Sequence, residues 1–98
     1  MQFELTLRTV PAVIENAKDG LSELITGWTT KDCDGVWLGE AEKSIEFSTV
    51  TNSEYLAIQV KDYINFIAWQ LGEESIMWTV KESSWTFTDC KLDYEKVK

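Results

Sequence analysis

The sequence predicts a two-layer α+β sandwich, in which two helices cover one face of an antiparallel sheet in a ferredoxin-like arrangement. Three observations predict this fold. Several short segments alternate between apolar and polar residues, as strands with one wet face do. One long segment, Thr51 to Gly72, has apolar residues at helical spacing and no Gly or Pro before its last residue. The segments follow one another as β-α-β-β-α-β-β, which adds a C-terminal strand to the ferredoxin-like order.

The first strand and the first helix are predicted within residues 2–20. Residues 2–10 alternate between apolar and polar side chains, which indicates a strand with one wet face. Pro11 suits the first position of a helix, where its missing N–H is not needed. We expect this helix to cover residues 12–19 and to end at Gly20, because glycine commonly closes helices.

The middle of the chain is predicted to contain two turns and the next strands. Residues 22–30 form the predicted second strand. Residues 31–35 contain an Asp-Gly dipeptide, which strongly favours a turn. Residues 36–38 would then return along the sheet edge, and residues 39–43 form a polar connection. Ser44 to Val50 is the predicted third strand.

The end of the chain is predicted to form a hairpin and a tail. Residues 75–81 and 85–88 both alternate in the manner of strands, and the three residues between them are enough for a hairpin. Residues 90–98 are mostly charged, and we expect a loose tail there. The whole chain, residues 1–98, is predicted to be a single domain.

The long helix is predicted to have well-marked ends and one side in the core. Thr51, Asn52 and Ser53 can each cap its start, and Thr51 with Glu54 has the capping-box spacing. Gly72 suits its end. The stripe expected to pack on the sheet consists of Leu56, Val60, Tyr63, Ile64, Ile67 and Leu71, with Ala57 and Ala68 at its edge.

The opposite side of the long helix carries a second apolar group. Tyr55, Ile58, Phe66 and Trp69 lie roughly 160 to 240° from the core stripe on a helical wheel. A helix that is apolar on two sides is usually covered on two sides. Because aromatic residues are enriched in interface cores, we predict that these four residues form a protein–protein interface. Cover by another part of the chain and scattered surface exposure are the alternatives.

The composition argues against several classes of function. Seventeen acidic and nine basic residues give a net charge of −8, which disfavours nucleic acid and anionic membranes as partners. The chain has no His, so the common Ser–His, Cys–His and His–metal sites are excluded. We also find no glycine-rich phosphate loop. We therefore expect a non-enzymatic protein that uses no cofactor and no metal ion.

Acidic residues and cysteines are the remaining candidate sites. Asp32, Asp34, Glu40 and Glu42 form a local acidic cluster, but the pattern lacks the remaining ligands of a calcium loop and is more typical of a turn. Cys33 and Cys90 have no C-x-x-C partner, and we expect two reduced thiols. A disulfide between them is the alternative, which their spacing does not decide. No signal peptide or transmembrane stretch is recognisable, so we expect a cytoplasmic protein.

A motif across residues 20–80 carries a resemblance to known proteins. Residues 35–40 read Gly-Val-Trp-Leu-Gly-Glu, Ser44 opens the next strand, and residues 73–76 read Glu-Glu-Ser-Ile after the long helix. In this pattern the chain resembles small bacterial and phage proteins of unknown function, whose last motif reads Gln-Glu-Ser-Val. The resemblance implies a ferredoxin-like sandwich. It also implies a phage-type protein that acts in the host cytoplasm and blocks a host defence or regulatory protein by binding it.

Two functions follow as hypotheses. The first is a small acidic binding protein that acts through the aromatic side of the long helix, as a homo-oligomer with a dimer favoured or against a host protein. The second is a module that binds a nucleotide or metabolite between subunits. In that case Trp37 would form the wall of a ligand pocket, and Glu40 and Ser44 would supply hydrogen-bonding groups. The structural alternative for these residues is a turn, with Trp37 filling the core.

Overall fold

The computed structural model describes residues 1–37, 39–73 and 76–83, and for residues 35–37, 40 and 41 it describes the backbone alone. These residues form four strands and two helices: β1 (Phe3–Thr9), α1 (Pro11–Leu24), β2 (Thr29–Trp37), β3 (Glu40–Thr51), α2 (Glu54–Gln70) and β4 (Met77–Glu82). The sheet order is β2-β3-β1-β4, and all neighbours are antiparallel. The predicted α+β sandwich is confirmed. The predicted strand at residues 85–88 and tail at residues 90–98 lie outside the described residues.

The core lies between one face of the sheet and the two helices. Leu5 and Leu7 of β1 pair with Thr49 and Phe47 of β3, so alternate residues of the central strands point to the same side. The buried apolar residues on this side and on the helices are Leu5, Leu7, Val13, Ile14, Ala17, Leu21, Ile25, Phe47, Ala57, Val60, Ile64 and Ala68. Neither of the two described helices is long and apolar enough to cross a membrane.

The first helix is longer than predicted, and the predicted strand at residues 22–30 is wrong over most of its length. α1 runs from Pro11 to Leu24, and the strand begins only at Thr29. Leu21 is fully buried and continues the inward side of the helix one turn beyond Ala17. Gly20 therefore lies inside the helix and does not end it. It packs against the ring of Tyr63 on α2, and a side chain at this position would overlap that ring unless Tyr63 shifted.

The predicted turn at residues 31–35 is also wrong, because these residues lie within β2. The predicted polar connection at residues 39–43 belongs mostly to β3. The hairpin reverses at Gly39, whose φ of +82° is favourable for glycine and rare for other residues. Asp32, Asp34 and Lys43 are exposed on one face of this part of the hairpin, and Lys31 and Glu42 are exposed on the other, so both faces carry polar side chains in water.

α2 begins and ends close to its predicted bounds. Ser53 is the N-cap, and its Oγ accepts a hydrogen bond from the Leu56 N–H at 3.0 Å. The predicted capping box of Thr51 and Glu54 is wrong, because Thr51 is the last residue of β3. Its hydroxyl donates instead to the Ser53 carbonyl oxygen at 2.6 Å. Gly72, at φ +83°, follows the helix as predicted.

The predicted core stripe of α2 is confirmed except at its last residue. Val60 and Ile64 are fully buried, and Ala57 and Ala68 at the edge of the stripe are buried with them. Leu71 is 45% exposed and lies just beyond the helix, which ends at Gln70.

Candidate functional site

The four residues predicted as an interface lie together on the outward side of α2. Tyr55 is 73% exposed, Trp69 is 71% exposed and Phe66 is 50% exposed, while Ile58 is half-buried. The buried side of the same helix packs in the core, so α2 has an apolar surface on each side. That these four residues form an interface stays a prediction. The structure shows how their side chains are arranged.

The spacing of these residues makes the surface continuous. Tyr55 and Ile58 are three residues apart, as are Phe66 and Trp69, and Asp62 is four residues from both Ile58 and Phe66. Residues three or four apart are neighbours on a helix surface. The five residues therefore form a single row, about 21 Å long at 1.5 Å per residue. We call this row, Tyr55, Ile58, Asp62, Phe66 and Trp69, the α2 ridge.

One end of the α2 ridge is a stacked aromatic pair. The ring centroids of Phe66 and Trp69 are 6.2 Å apart, with an angle of 28° between the ring planes. Such a pair offers a broad apolar area, and Tyr55 adds a third exposed ring at the other end. Single exposed apolar residues are normal, but a contiguous exposed group of this kind is typical of an interaction site.

The middle of the α2 ridge carries an ion pair. The side chain of Asp62 is 64% exposed, and its Oδ1 lies 2.6 Å from Lys61 Nζ. The side chain of Lys61 is only 17% exposed, and its Nζ also lies 4.6 Å from the centroid of the Trp78 ring. Lys61 is also the single basic residue of α2. The ridge is therefore an aromatic surface whose central carboxylate is paired with Lys61 of the same helix.

The face of the sheet opposite the helices is polar. Arg8 on β1 lies 3.3 Å from Glu46 on β3, and Lys81 on β4 lies 3.6 Å from Glu4 on β1. Exposed ion pairs of this kind contribute about 0 to 1 kcal/mol each. Met77, which pairs with Arg8 across the strands, is 70% exposed on this face. Among its described side chains, the sheet face thus combines charge pairs with the exposed apolar side chain of Met77.

The possible ligand-binding residues lie on the β2–β3 hairpin. Trp37 and Glu40 are paired at its end, whereas Ser44 pairs with Cys33 further along. The Ser44 hydroxyl donates to the Cys33 carbonyl oxygen at 3.4 Å. Four residues of extended chain place Ser44 about 13 Å from Glu40 along β3. The side chains of Trp37 and Glu40 lie outside the described part of the structure, so the ligand pocket stays a prediction.

The acidic residues of the hairpin are divided between its two faces. Asp34 is opposite Lys43, while Glu42 is opposite Gly35, so alternation places Asp34 and Glu42 on different sides. Among the residues that the structure describes, no three His, Cys, Asp or Glu side chains are grouped so as to hold a metal ion. Cys33 is a free thiol, and Cys90 lies outside the described residues.

Sequence reasoning missed one contact that shapes the ridge, the cation–π contact between Lys61 and Trp78. It depends on the register of β4 against β1, in which Trp78 pairs with Leu7 and so points toward the helices. Helical periodicity places Lys61 beside the core stripe, but no local signal in the sequence identifies Trp78 as its neighbour.

The comparisons with known proteins establish the fold. The sequence matches no family model and no curated protein. Its structure is similar to that of a DUF3240 family protein from Shewanella baltica OS155, with a TM-score of 0.70 and 10% identity, covering 89% of this chain and 94% of that one. It is also similar to the structure of a B. subtilis GlnK–ATP complex, with a TM-score of 0.58 and 17% identity, covering 85% of this chain and 82% of that one. GlnK is ferredoxin-like, and the predicted ferredoxin-like architecture of this chain is thereby confirmed.

Proposed function

We propose that this protein is a non-enzymatic binding protein and that the α2 ridge is its protein–protein surface. The observation that carries the proposal is the exposure of three aromatic side chains, Tyr55, Phe66 and Trp69, in one row of a helix whose other side is in the core. Large aromatic residues dominate the energetics of interfaces and are enriched among the residues that contribute most. The sequence resemblance suggests a host defence or regulatory protein as the partner, within the cytoplasm.

The proposal predicts that two polar substitutions abolish binding without unfolding the protein. A Phe66→Ser/Trp69→Ser variant should weaken self-assembly or the binding of a partner by at least about 30-fold, because each aromatic hot spot contributes about 2 kcal/mol or more. Light scattering during size exclusion measures the assembly, and pull-down against host lysate measures partner binding. Circular dichroism should show an unchanged fold, because both side chains are half or more exposed.

Met77→Ser is the matched control for this experiment. Met77 is 70% exposed, which is close to the exposure of Trp69, but it lies on the sheet face that points away from the helices. Its substitution should leave assembly and partner binding unchanged. A double variant of Phe66 and Trp69 that assembles and binds like the original chain would show that the α2 ridge is not the binding surface.

A second candidate function is the binding of a nucleotide or metabolite between subunits. Two observations favour it: the fold is shared with a protein solved as an ATP complex, and the sheet face opposite the helices carries Arg8, Lys31 and Lys81. One or two basic side chains are enough to bind the phosphates of a single nucleotide. This candidate requires a homo-oligomer, as the sequence analysis also predicts.

Titration with ATP tests this second candidate. Binding should change the tryptophan fluorescence and raise the melting temperature, since a ligand at 100 times its Kd stabilises the folded state by about 2.7 kcal/mol. An Arg8→Gln/Lys81→Gln variant should lose both responses, while Phe66→Ser/Trp69→Ser should keep the thermal response. The absence of both responses in the original chain would argue against a nucleotide site.

A further inference from the structure

We infer that two copies of this chain associate through the outer edge of β4, so that their two four-stranded sheets join into one continuous sheet. This edge is distinct from the α2 ridge, so the inference goes beyond the proposed function. Three features carry it: the open edge of β4, the exposure of Trp78 on the core side of that strand, and a register in which the strand fits its own copy.

The outer edge of β4 has backbone groups that no described strand pairs. β4 lies at one end of the sheet order, with β1 as its neighbour on the inner side. Just after β4, the Ser83 N–H donates to the Gln2 carbonyl oxygen at 2.8 Å, which is a bond toward β1. Successive residues of a strand direct their backbone groups to opposite sides, so Thr79 bonds toward β1, as Ser83 does. The N–H and C=O groups of Trp78 and Val80 therefore point outward, where they can accept a further strand.

The core is incompletely covered at the same edge. Trp78 and Val80 pair with Leu7 and Leu5 of β1, and so they face the helices. Leu5 and Leu7 are buried, whereas Trp78 is 44% exposed and Val80 is half-buried. A strand added beyond β4 would place side chains against the exposed part of Trp78. Burial of a large aromatic side chain is a strong driving force for association.

β4 fits its own copy in one particular register. Most homodimers have a twofold axis, and an axis perpendicular to the sheet through Thr79 pairs the two strands antiparallel. Trp78 of each copy then lies opposite Val80 of the other on the core side. On the outer face Thr79 lies opposite Thr79, and Met77 lies opposite Lys81. Aromatic with β-branched residues and Thr with Thr are favourable cross-strand pairs, and this register places no like charges opposite each other.

The C-terminal segment of the same chain fits this edge less well. A hairpin between β4 and the predicted strand at residues 85–88 would turn at Ser83 and Ser84. Two-residue hairpin turns need a positive φ, which Gly and Asn adopt readily and Ser does not. Counted back from that turn, Asp89 would lie opposite Trp78, so a carboxylate would meet the exposed ring. A second copy places Val80 there instead.

Association through β4 leaves the α2 ridge accessible. Among the strands, α2 packs most extensively on β1. Because neighbouring strands are about 4.8 Å apart, the α2 helices of the two copies would be separated by about 14 Å. Helices in direct contact are only about 8 to 10 Å apart. Trp78 and Lys61 of both copies would lie in the space between the helices, while Tyr55 and Phe66 stay exposed for the partner of the proposed function.

Cross-linking at position 79 tests the register. In the inferred dimer the two Thr79 residues form a pair without mutual backbone hydrogen bonds, with Cα atoms about 4.5 Å apart, which a disulfide can span. In a Cys33→Ser/Cys90→Ser background, Thr79→Cys should therefore give a disulfide-linked dimer on mild oxidation, measured by non-reducing electrophoresis. Thr29→Cys is the matched control, because Thr29 is in the same row of the sheet face but on β2. It should remain unlinked.

Light scattering during size exclusion tests the association itself. The original chain should have twice the monomer mass of 11.3 kDa. Thr79→Lys places like charges opposite each other at the twofold axis and should raise the Kd of the dimer by at least about tenfold. Circular dichroism should be unchanged, because Thr79 is exposed. Thr29→Lys adds the same charge at the other edge of the same face and should leave the dimer intact.

The outcomes separate this inference from the proposed function. A monomeric original chain, an unlinked Thr79→Cys variant, or equal effects of the two lysine variants would overturn the inference. A dimer that Phe66→Ser/Trp69→Ser dissociates and Thr79→Lys does not would also overturn it, while supporting the proposed function. A dimer that persists in Phe66→Ser/Trp69→Ser while partner binding is lost, and that Thr79→Lys dissociates, would support both.

Discussion

Phe47→Ala is expected to lower the free energy of unfolding by about 3 to 5 kcal/mol, the usual cost of removing a buried phenylalanine side chain. Phe47 is fully buried on the central strand β3, and its ring centroid lies 6.1 Å from that of Trp28. A domain of this size has about 5 to 15 kcal/mol of stability, so the loss is a large part of the total. Urea denaturation followed by circular dichroism measures it.

Phe66→Ala is the matched control, because the same side chain is removed from the α2 ridge. Phe66 is 50% exposed, and we expect a loss of less than about 1 kcal/mol, since little area returns to water and no closed cavity forms. Phe47→Ala should therefore lower the stability of the protein, whereas Phe66→Ala should leave it nearly unchanged. Similar losses for both variants would mean that the side chain of Phe66 is covered by the protein itself in solution.

Gly20→Val is expected to destabilise the protein by about 3 kcal/mol, and Gly20→Ala by about 1 to 2 kcal/mol. A Cβ atom at Gly20 would come closer than 3.0 Å to the Oη, Cζ and Cε2 atoms of Tyr63. Alanine in a helix is better than glycine by about 1 kcal/mol, which offsets part of the loss for that variant. The Tyr63 ring must shift to admit the new atoms, and we expect the cost of that shift to exceed the gain in helix propensity, so that both variants are less stable than the original chain.

Gly27→Val provides the comparison for Gly20. No atom lies within 4 Å of a Cβ added at Gly27, so we expect a change of less than about 0.5 kcal/mol. The effect of Gly20→Val should also shrink when Tyr63 is replaced by Ala, because the two residues are in contact and their effects are then not additive. A Gly20→Val variant as stable as the original chain would contradict the close packing of α1 on α2.

Periodicity along the sequence was sufficient to predict α2 and its two apolar sides. The buried positions Val60 and Ile64 and the exposed positions Tyr55 and Trp69 differ by angle around the helix, and that angle follows from residue number alone. The first strand was predictable for the same reason, since one wet face imposes strict alternation. The α2 ridge could therefore be located before the structure was known.

The predictions of the end of α1 and of the turn at residues 31–35 were wrong because contacts with residues distant in the sequence override a local preference there. Gly20 favours the end of a helix, but Leu21 and Tyr63 keep the helix going past it. Asp34 and Gly35 favour a turn, but pairing with Lys43 and Glu42 extends the strand through them. Neither partner is adjacent in the sequence, so composition and spacing could not reveal them. The charge environment of Asp62 depends in the same way on Trp78, which β4 brings to Lys61.

The extended hairpin has a consequence for how copies of this protein behave at high concentration. Within the described sheet, β2 is one of the two outer strands, and one row of its backbone N–H and C=O groups has no neighbouring strand. Such a row is a template on which other chains can add as further strands, the first step of many aggregation reactions. Lys31, Asp32 and Asp34 place charges along this strand, and charged residues on an outer strand discourage such addition. We therefore expect the residues that resemble a turn in the sequence to discourage polymerisation along this edge of the sheet.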